Sequence, residues 1–297
     1  MNKFNIFLLI IIMIIFIIFL LIIYLIYKNI KYKDTFNNLS QQGKPYLWQY
    51  WDNTDGSKTP AYINLCFKTV DKHCSDSFKI IRLNKDTILD YLPELKTLSS
   101  YNKIDKLIIA HKVDLYRIML LKKYGGLYMD ADIVVLRDPI EIIDKLQDFD
   151  YVGFGCTGNI CKYGYGRPSN WLMASRKNGI LISNVLNNIL NKIEKQDKFG
   201  YHDLGKLILW DELEILLRNN YKYYHYHNKI DGSRDIDGYW IDSNVAFSNN
   251  KINYDNELDM MFFVVYNSNI PKNIKELSED DILSKDWNIS KFIKKSI

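Results

Sequence analysis

Tyr124-Gly125-Gly126-Leu127-Tyr128-Met129-Asp130-Ala131-Asp132 is the stretch on which the reading of this chain turns. Two glycines stop whatever precedes them, an apolar segment follows, and two acids close it. Upstream, Asp105 to Tyr124 has the spacing of an amphipathic helix, and the Gly-Gly pair sits where a helix C-terminus is expected. Leu127 to Leu136 then reads as a strand running into a loop closed by Asp138-Pro139. Alternation along an extended backbone gives Tyr128, Asp130 and Asp132 one face, and Leu127, Met129, Ala131 and Ile133 the other. Two carboxylates thereby meet at a strand end, where α/β sheets bind ligands. Like charges so close repel, and a hard divalent cation on oxygen ligands relieves the repulsion. Mg²⁺ or Mn²⁺ suits this position, since either also bridges phosphate oxygens.

On the preceding helix, Lys112 and Lys123 mark the solvent side. Asp114 and Arg117 fall almost opposite, with Leu107, Ala110 and Leu121. Buried charges need partners. The pair is either an internal ion pair at i, i+3 or the wall of a pocket for a polyhydroxylated ligand.

Outward from this core, Tyr46 to Trp51 reads as an aromatic strand, Asp52 to Pro60 as a loop and Ala61 to Lys72 as a helix. Phe78 to Leu83 reads as a strand and Lys85 to Leu92 as a helix. This β-α-β-α order predicts an α/β, Rossmann-like, mostly parallel central sheet flanked by helices. Ile180 to Lys195 and Leu204 to Asn219 read as further helices, and Tyr221 to His227 as an aromatic strand.

Residues 4–27 carry no charge and only Asn5 as a polar residue. They are long enough for a single membrane-spanning signal-anchor helix contacting the lipid bilayer, after a three-residue N-terminal tail. Residues 28–44 read as a polar stem and residues 45–297 as one folded domain. No second uncharged run reaches spanning length, which excludes a polytopic channel or transporter. Lys3 on one side and Lys28, Lys31 and Lys33 on the other leave the orientation open between a cytoplasmic and a lumenal domain. A net charge of +4 with scattered basic residues gives no nucleic-acid footprint. Cys66–Cys74 and Cys156–Cys161 are the short-range disulfides the spacing allows. Asn38 and Asn288 open N-glycosylation patterns.

Taken together, Ala110-His111-Lys112-Val113-Asp114-Leu115-Tyr116-Arg117 and the stretch 124–132 resemble the core signature of the capsular-polysaccharide-synthesis and glycosyltransferase family 32 group. Pro45-Tyr46-Leu47-Trp48-Gln49-Tyr50-Trp51 resembles its opening strand, and Asn170-Trp171-Leu172-Met173-Ala174-Ser175 its later Asn-x-x-Met-Ala segment. The resemblance implies a GT-A fold and a hexosyltransferase of polysaccharide biosynthesis. It also implies a nucleotide-sugar donor, a glycan, lipid-linked or protein acceptor, Mn²⁺ or Mg²⁺, and transfer with retention. By position, Trp51 would stack on the nucleotide base and Tyr128 would contact the nucleotide. Asp114, Arg117 and Asn170 would lie at the donor sugar. Asp130 would contact sugar or ribose, and Asp132, with Asp130, would hold the metal. The group's late metal or phosphate contact would come from Asn267 and Ser268 or from Ser233-Arg234-Asp235.

Other residues carry plainer expectations: Asp203, after His202, as a helix N-cap, His225 and His227 as a polar strand face, and Trp210 and Trp287 as anchors. Trp240, near Arg234, is the acceptor-site candidate. Two other functions compete. One is a non-catalytic sugar- or nucleotide-binding relative. The other is a haloacid-dehalogenase-like phosphohydrolase, in which Asp-x-Asp is a nucleophile loop and Asp280-Asp281 a late acidic motif.

Overall fold

The computed structural model describes residues 13, 16–17, 19–20, 43–53, 56–155, 167–226, 231–235, 237–253, 260–267 and 270–297. The chain divides into two units, Met1–Lys44 and Pro45–Ile297. The expected anchor at 4–27 and stem at 28–44 lie mostly outside the described residues. Of the first unit, Met13, Phe16, Ile17, Phe19 and Leu20 are helical and exposed. No helix among the described residues is long and apolar enough to cross a membrane. Everything below concerns the second unit.

Its strands are β1 (Tyr46–Tyr50), β2 (Lys79–Leu83), β3 (Gly126–Met129), β4 (Ile133–Val135), β5 (Tyr151–Phe154), β6 (Leu172–Ser175), β7 (Tyr224–Tyr226) and β8 (Phe262–Val264). The principal helices are α1 (Ala61–Cys74), α2 (Ile109–Tyr124), α3 (Ile180–Lys195), α4 (Lys206–Arg218) and α5 (Asn288–Ser296). Six strands form one sheet in the order β2-β1-β3-β6-β5-β7, and β4 pairs with β8 in a second.

The α/β class holds, but the sheet is mixed. β1 is parallel to β2 and β3, and β5 is parallel to β7. β6 lies between β3 and β5, antiparallel to both. The early β-α-β order reads correctly because each crossover helix is local. The position of β6 depends on its neighbours and leaves no trace in its own four residues.

Three local readings change. Lys85 to Leu92 holds a single helical turn, Ile88–Tyr91, before a 3-10 turn at Pro93–Thr97; Pro93 cannot continue an α-helix. The helix expected from Asp105 begins at Ile109, after a separate turn at Tyr101–Asp105. The strand expected from Leu127 to Leu136 is two strands in two sheets. The alternation therefore stops at Asp130, where the chain turns through Ala131 and Asp132.

Packing shows what that turn does. Tyr128 joins the core beneath α2, α3 and α4 with Trp48, Met173 and Leu186. Leu127 and Met129 pack on the other face with Ile133, Val135 and Phe262. Ala131 belongs to a third core, with Tyr62, Phe263 and Ile289 around α1 and α5. The acid turn is the point at which the chain passes between these cores.

Gly125 ends α2 at φ 72° and accepts a hydrogen bond from Trp48 Nε1 at 2.9 Å on its carbonyl. Gly126 has φ 98°, and a Cβ there would lie 2.4 Å from the Tyr46 carbonyl oxygen. Only glycine combines that backbone conformation with that approach.

Cys66 and Cys74 are buried and free, which removes the first disulfide; both lie on α1 with their side chains in separate cores. Cys156 and Cys161 lie outside the described residues. Asn288 is buried, and its amide donates to the carbonyls of Val245 and Asn250, both at 2.9 Å. That asparagine is not available for glycosylation in the fold. Asn38 lies outside the described residues.

Candidate functional site

A cleft of about 1090 Å³ opens at the acid turn. It is lined by Trp51, Asp114, Arg117, Asp130, Asp132 and Asn170, all expected at the site. Tyr128 is the exception: it is fully buried, with its ring under the Arg117 guanidinium at 4.9 Å. It acts as a floor for Arg117 and does not reach the cleft.

α2 brings Asp114 and Arg117 to one face. The ion pair read from the sequence is present, and both residues also line the cleft. Arg117 Nη2 is 3.6 Å from Asp114 Oδ1 and 3.2 Å from Asp130 Oδ1. Its Nε donates to the Val113 carbonyl, and its Nη1 to the Asn170 carbonyl. Asn170 Nδ2 donates to Asp114 Oδ1 at 2.7 Å. Gly205 seals this group from the far side, since a Cβ there would meet Asn170 Nδ2 at 2.4 Å and Asp114 Oδ2 at 2.6 Å. One guanidinium thus holds two carboxylates and a loop carbonyl in fixed geometry, with its charge compensated where water is excluded.

The acid turn is gripped from the opposite side by the segment after β8. Val265 N donates to the Asp132 carbonyl at 3.0 Å, and Asn267 N donates to Asp132 Oδ2 at 2.6 Å. Between them Tyr266 adopts φ 56°, an uncommon conformation for a bulky side chain. The Asn267 side chain accepts from the Tyr62 hydroxyl on its Oδ1. Asn267, one of the expected late contacts, therefore stands beside Asp132. Ser268 lies outside the described residues. Ser233 and Arg234 line the cleft and Asp235 does not; Arg234 donates to the Gly238 carbonyl and lies 5.4 Å over the Trp240 ring.

The electrostatics follow from burial. Asp130 is pushed up to about 7, first by burial and then by Asp132 and Asp114, against the opposing Arg117. Its side chain nonetheless keeps 28% exposure toward the cleft. Asp132 is also raised by burial, in part offset by the Asn267 N–H. Asp114 is raised by burial, against Arg117 and His111. Arg117 and the Asn267 N–H compensate these carboxylates only in part, the condition a bound cation relieves.

Among the described residues no group of three or more His, Cys, Asp or Glu converges as a metal cage. The residues that could hold a metal here are Asp132 and Asp130, which both line the cleft. That fits a Mg²⁺-like ion, which takes one or two carboxylates and completes its shell with water and substrate phosphate. Asp280 and Asp281 fall in the first turn of the helix Glu279–Ser284, where Asp281 forms a capping box with Ser278. They are absent from the cleft lining, so the phosphohydrolase alternative lacks its second acidic motif there.

Trp210, expected as an anchor, lines the cleft together with His202, Lys206 and Trp240. Asp203 does not cap α4. Its Oδ2 accepts from Gly200 N at 2.9 Å, and Gly205 occupies the cap position. His225 lies away from the cleft, its Nδ1 3.1 Å from the Tyr223 hydroxyl; His227 lies outside the described residues. Trp287 packs on Phe247. A residue the sequence reading left without a role is His111. It is buried, donates from Nε2 to the Gly200 carbonyl at 3.1 Å, and so ties α2 to the loop carrying Tyr201 and His202.

A family model described as capsular polysaccharide synthesis protein matches residues 22–231. No curated protein sequence matches the chain. Similar solved structures include the PaToxG glycosyltransferase, at 17% identity, 59% of this chain, 70% of that one and a TM-score of 0.44. Glycosyltransferase GlyE of Streptococcus pneumoniae TIGR4 is 13% identical over 63% of this chain and 46% of its own, with a TM-score of 0.40. The WbbM bifunctional glycosyltransferase is 10% identical over 85% and 51%, with a TM-score of 0.47. This chain therefore spans about half the length of the latter two.

Proposed function

The chain belongs to the capsular polysaccharide synthesis protein family, and from that premise we propose that it is a metal-dependent glycosyltransferase of GT-A type. It moves a sugar from a nucleotide-sugar donor to a glycan acceptor with retention, and residues 4–27 anchor it to a membrane. The observation that carries the reading is the clamped acid turn, with Asp132 held by Asn267 N–H and Asp130 by Arg117, at the wall of a cleft large enough for a nucleotide sugar.

Cleaving a sugar–phosphate bond leaves negative charge on the nucleoside diphosphate. Groups fixed beforehand stabilise that charge without reorganising. Mn²⁺ or Mg²⁺, bound at Asp132 with Asp130, would supply the positive charge at the diphosphate. Asp114 and Asn170 orient donor hydroxyls, since both line the cleft and hold each other in place. Trp51, fixed by its Nε1 bond to Asn53 at 2.9 Å, offers a ring for the base.

The direct test is turnover of nucleotide sugars by Asp132→Asn. Loss of roughly 10²–10³-fold or more with an unchanged melting profile supports the assignment, and full activity in a folded variant overturns it.

A further inference from the structure

The cleft has a second polar wall, built by different segments from the acid turn. Lys206 opens α4, Trp210 follows one turn later, and Arg167 precedes Asn170; all three line the cleft with His202. Lys206 Nζ and Arg167 Cζ lie 5.4 and 5.6 Å from the same Trp210 ring. That ring is fixed by Nε1 donating to the Pro168 carbonyl at 2.6 Å. Two cations held on one indole face a concave surface that Arg117, already engaged by two acids, Arg234 and Lys275 also line.

The acidic neighbours of this wall are spoken for. Glu214 pairs with Arg167 at 3.0 Å and with Arg218, so Arg167 is already partly compensated and Lys206 is the cation this wall leaves open. Asp203 accepts from Gly200 N and lies 3.8 Å from Lys192. Asp211 is exposed and absent from the cleft lining. Lys206 is half-buried, with no ion pair among the described residues. Its pKa is lowered by burial, with no acidic neighbour offsetting the effect. His202 is lowered as well, by burial and then by Lys206. A half-buried ammonium that meets no counter-ion among the described residues at a cleft wall is a costly arrangement that an anionic ligand relieves.

We propose that the Arg167–Trp210–Lys206 wall is a subsite for an anionic group, a phosphate or a carboxylate, carried by the acceptor carbohydrate, whose sugar ring packs near the Trp210 indole. The proposal rests on the glycosyltransferase reading and adds the acceptor's charge to it. The donor's own charge belongs at the acid turn, so an anion here is the acceptor's.

The test is titration of the full chain, with Mn²⁺ and a saturating nucleoside diphosphate present, by three probes: methyl glucuronide, glucose 1-phosphate and neutral methyl glucoside. At least one anionic probe should bind roughly tenfold or more tightly than the glucoside, the scale of one charge-assisted hydrogen bond. The preferred anion then distinguishes an acidic-sugar acceptor from a phosphate-bearing one. Lys206→Gln should abolish the preference, and Lys206→Glu should invert it, with nucleoside diphosphate affinity retained in both. Equal binding of all three probes, or a preference that survives in Lys206→Glu, overturns the subsite. Failure of the nucleoside diphosphate to bind in the unaltered chain overturns the transferase reading instead, and the probe comparison then stands by itself.

Discussion

At the scale of single residues the site is organised by Arg117. Its buried guanidinium serves Asp114 and Asp130 together, so Arg117→Ala leaves two buried carboxylates uncompensated. It should lower folding stability by about 3–5 kcal/mol, measured by urea denaturation, as well as impair sugar transfer. Asp114→Asn preserves shape and should reduce transfer while leaving nucleoside diphosphate affinity within a fewfold of the parent. Asp130 adds a pH signature. Its pKa near 7 means that protons and a cation compete for it, so the apparent Mn²⁺ affinity should rise with pH up to about 7 and then level. A flat profile in a metal titration would remove Asp130 from the cation site. Asp114, Arg117, Asp130 and Asp132 were all legible in the sequence, because charge on a buried helix face or at a strand end is conspicuous. Tyr128 is buried although it shares the face of the acids, because period-2 alternation says which face a residue takes but not whether that face is open.

Among the elements, the backbone approaches at glycine decide what the strands and loops can do. Gly126→Ala forces a Cβ to 2.4 Å from a backbone oxygen at positive φ, and should cost at least about 1–3 kcal/mol; equal stability by thermal melting would contradict that close approach. Gly205→Ala meets side chains instead, at Asn170 and Asp114. It should lower stability as well as transfer, because Asp114, which must give way, is buried and tied to Asn170 and Arg117. The helices α1, α3 and α4 could be read from spacing within a residue or two, since their apolar faces are local. The splitting of the expected strand into β3 and β4, and the antiparallel insertion of β6, could not, because each is decided by which distant strand lies alongside. His111 and the loop at Gly200 were invisible for the same reason, their contact spanning 89 positions.

For the molecule as a whole, the acid turn works because the C-terminal segment returns to it. Asn267 reaches Asp132 across 135 positions, a pairing no local pattern encodes; the sequence narrowed the late contact to Asn267 and Ser268 or Ser233 to Asp235 without choosing. The gathered carboxylates have a global consequence. Asp130 and Asp231, both raised to about 7 chiefly by burial, bind more protons folded than unfolded between about pH 4 and 7. Stability of the ligand-free chain should therefore be present at the acidic end of that window and decline as pH rises through 7. A cation bound there, as proposed, would offset the decline by favouring ionised Asp130 and Asp132. The most direct measurement is the melting temperature of the full chain at pH 7.5 with Mn²⁺, with nucleoside diphosphates, and with both, in parallel with Asp132→Asn. Ligands that bind the folded state raise its apparent stability, so a cation-bridged diphosphate site predicts a large rise only when both are present, lost in Asp132→Asn. A nucleoside diphosphate that stabilises equally without metal, or equally in Asp132→Asn, would contradict it.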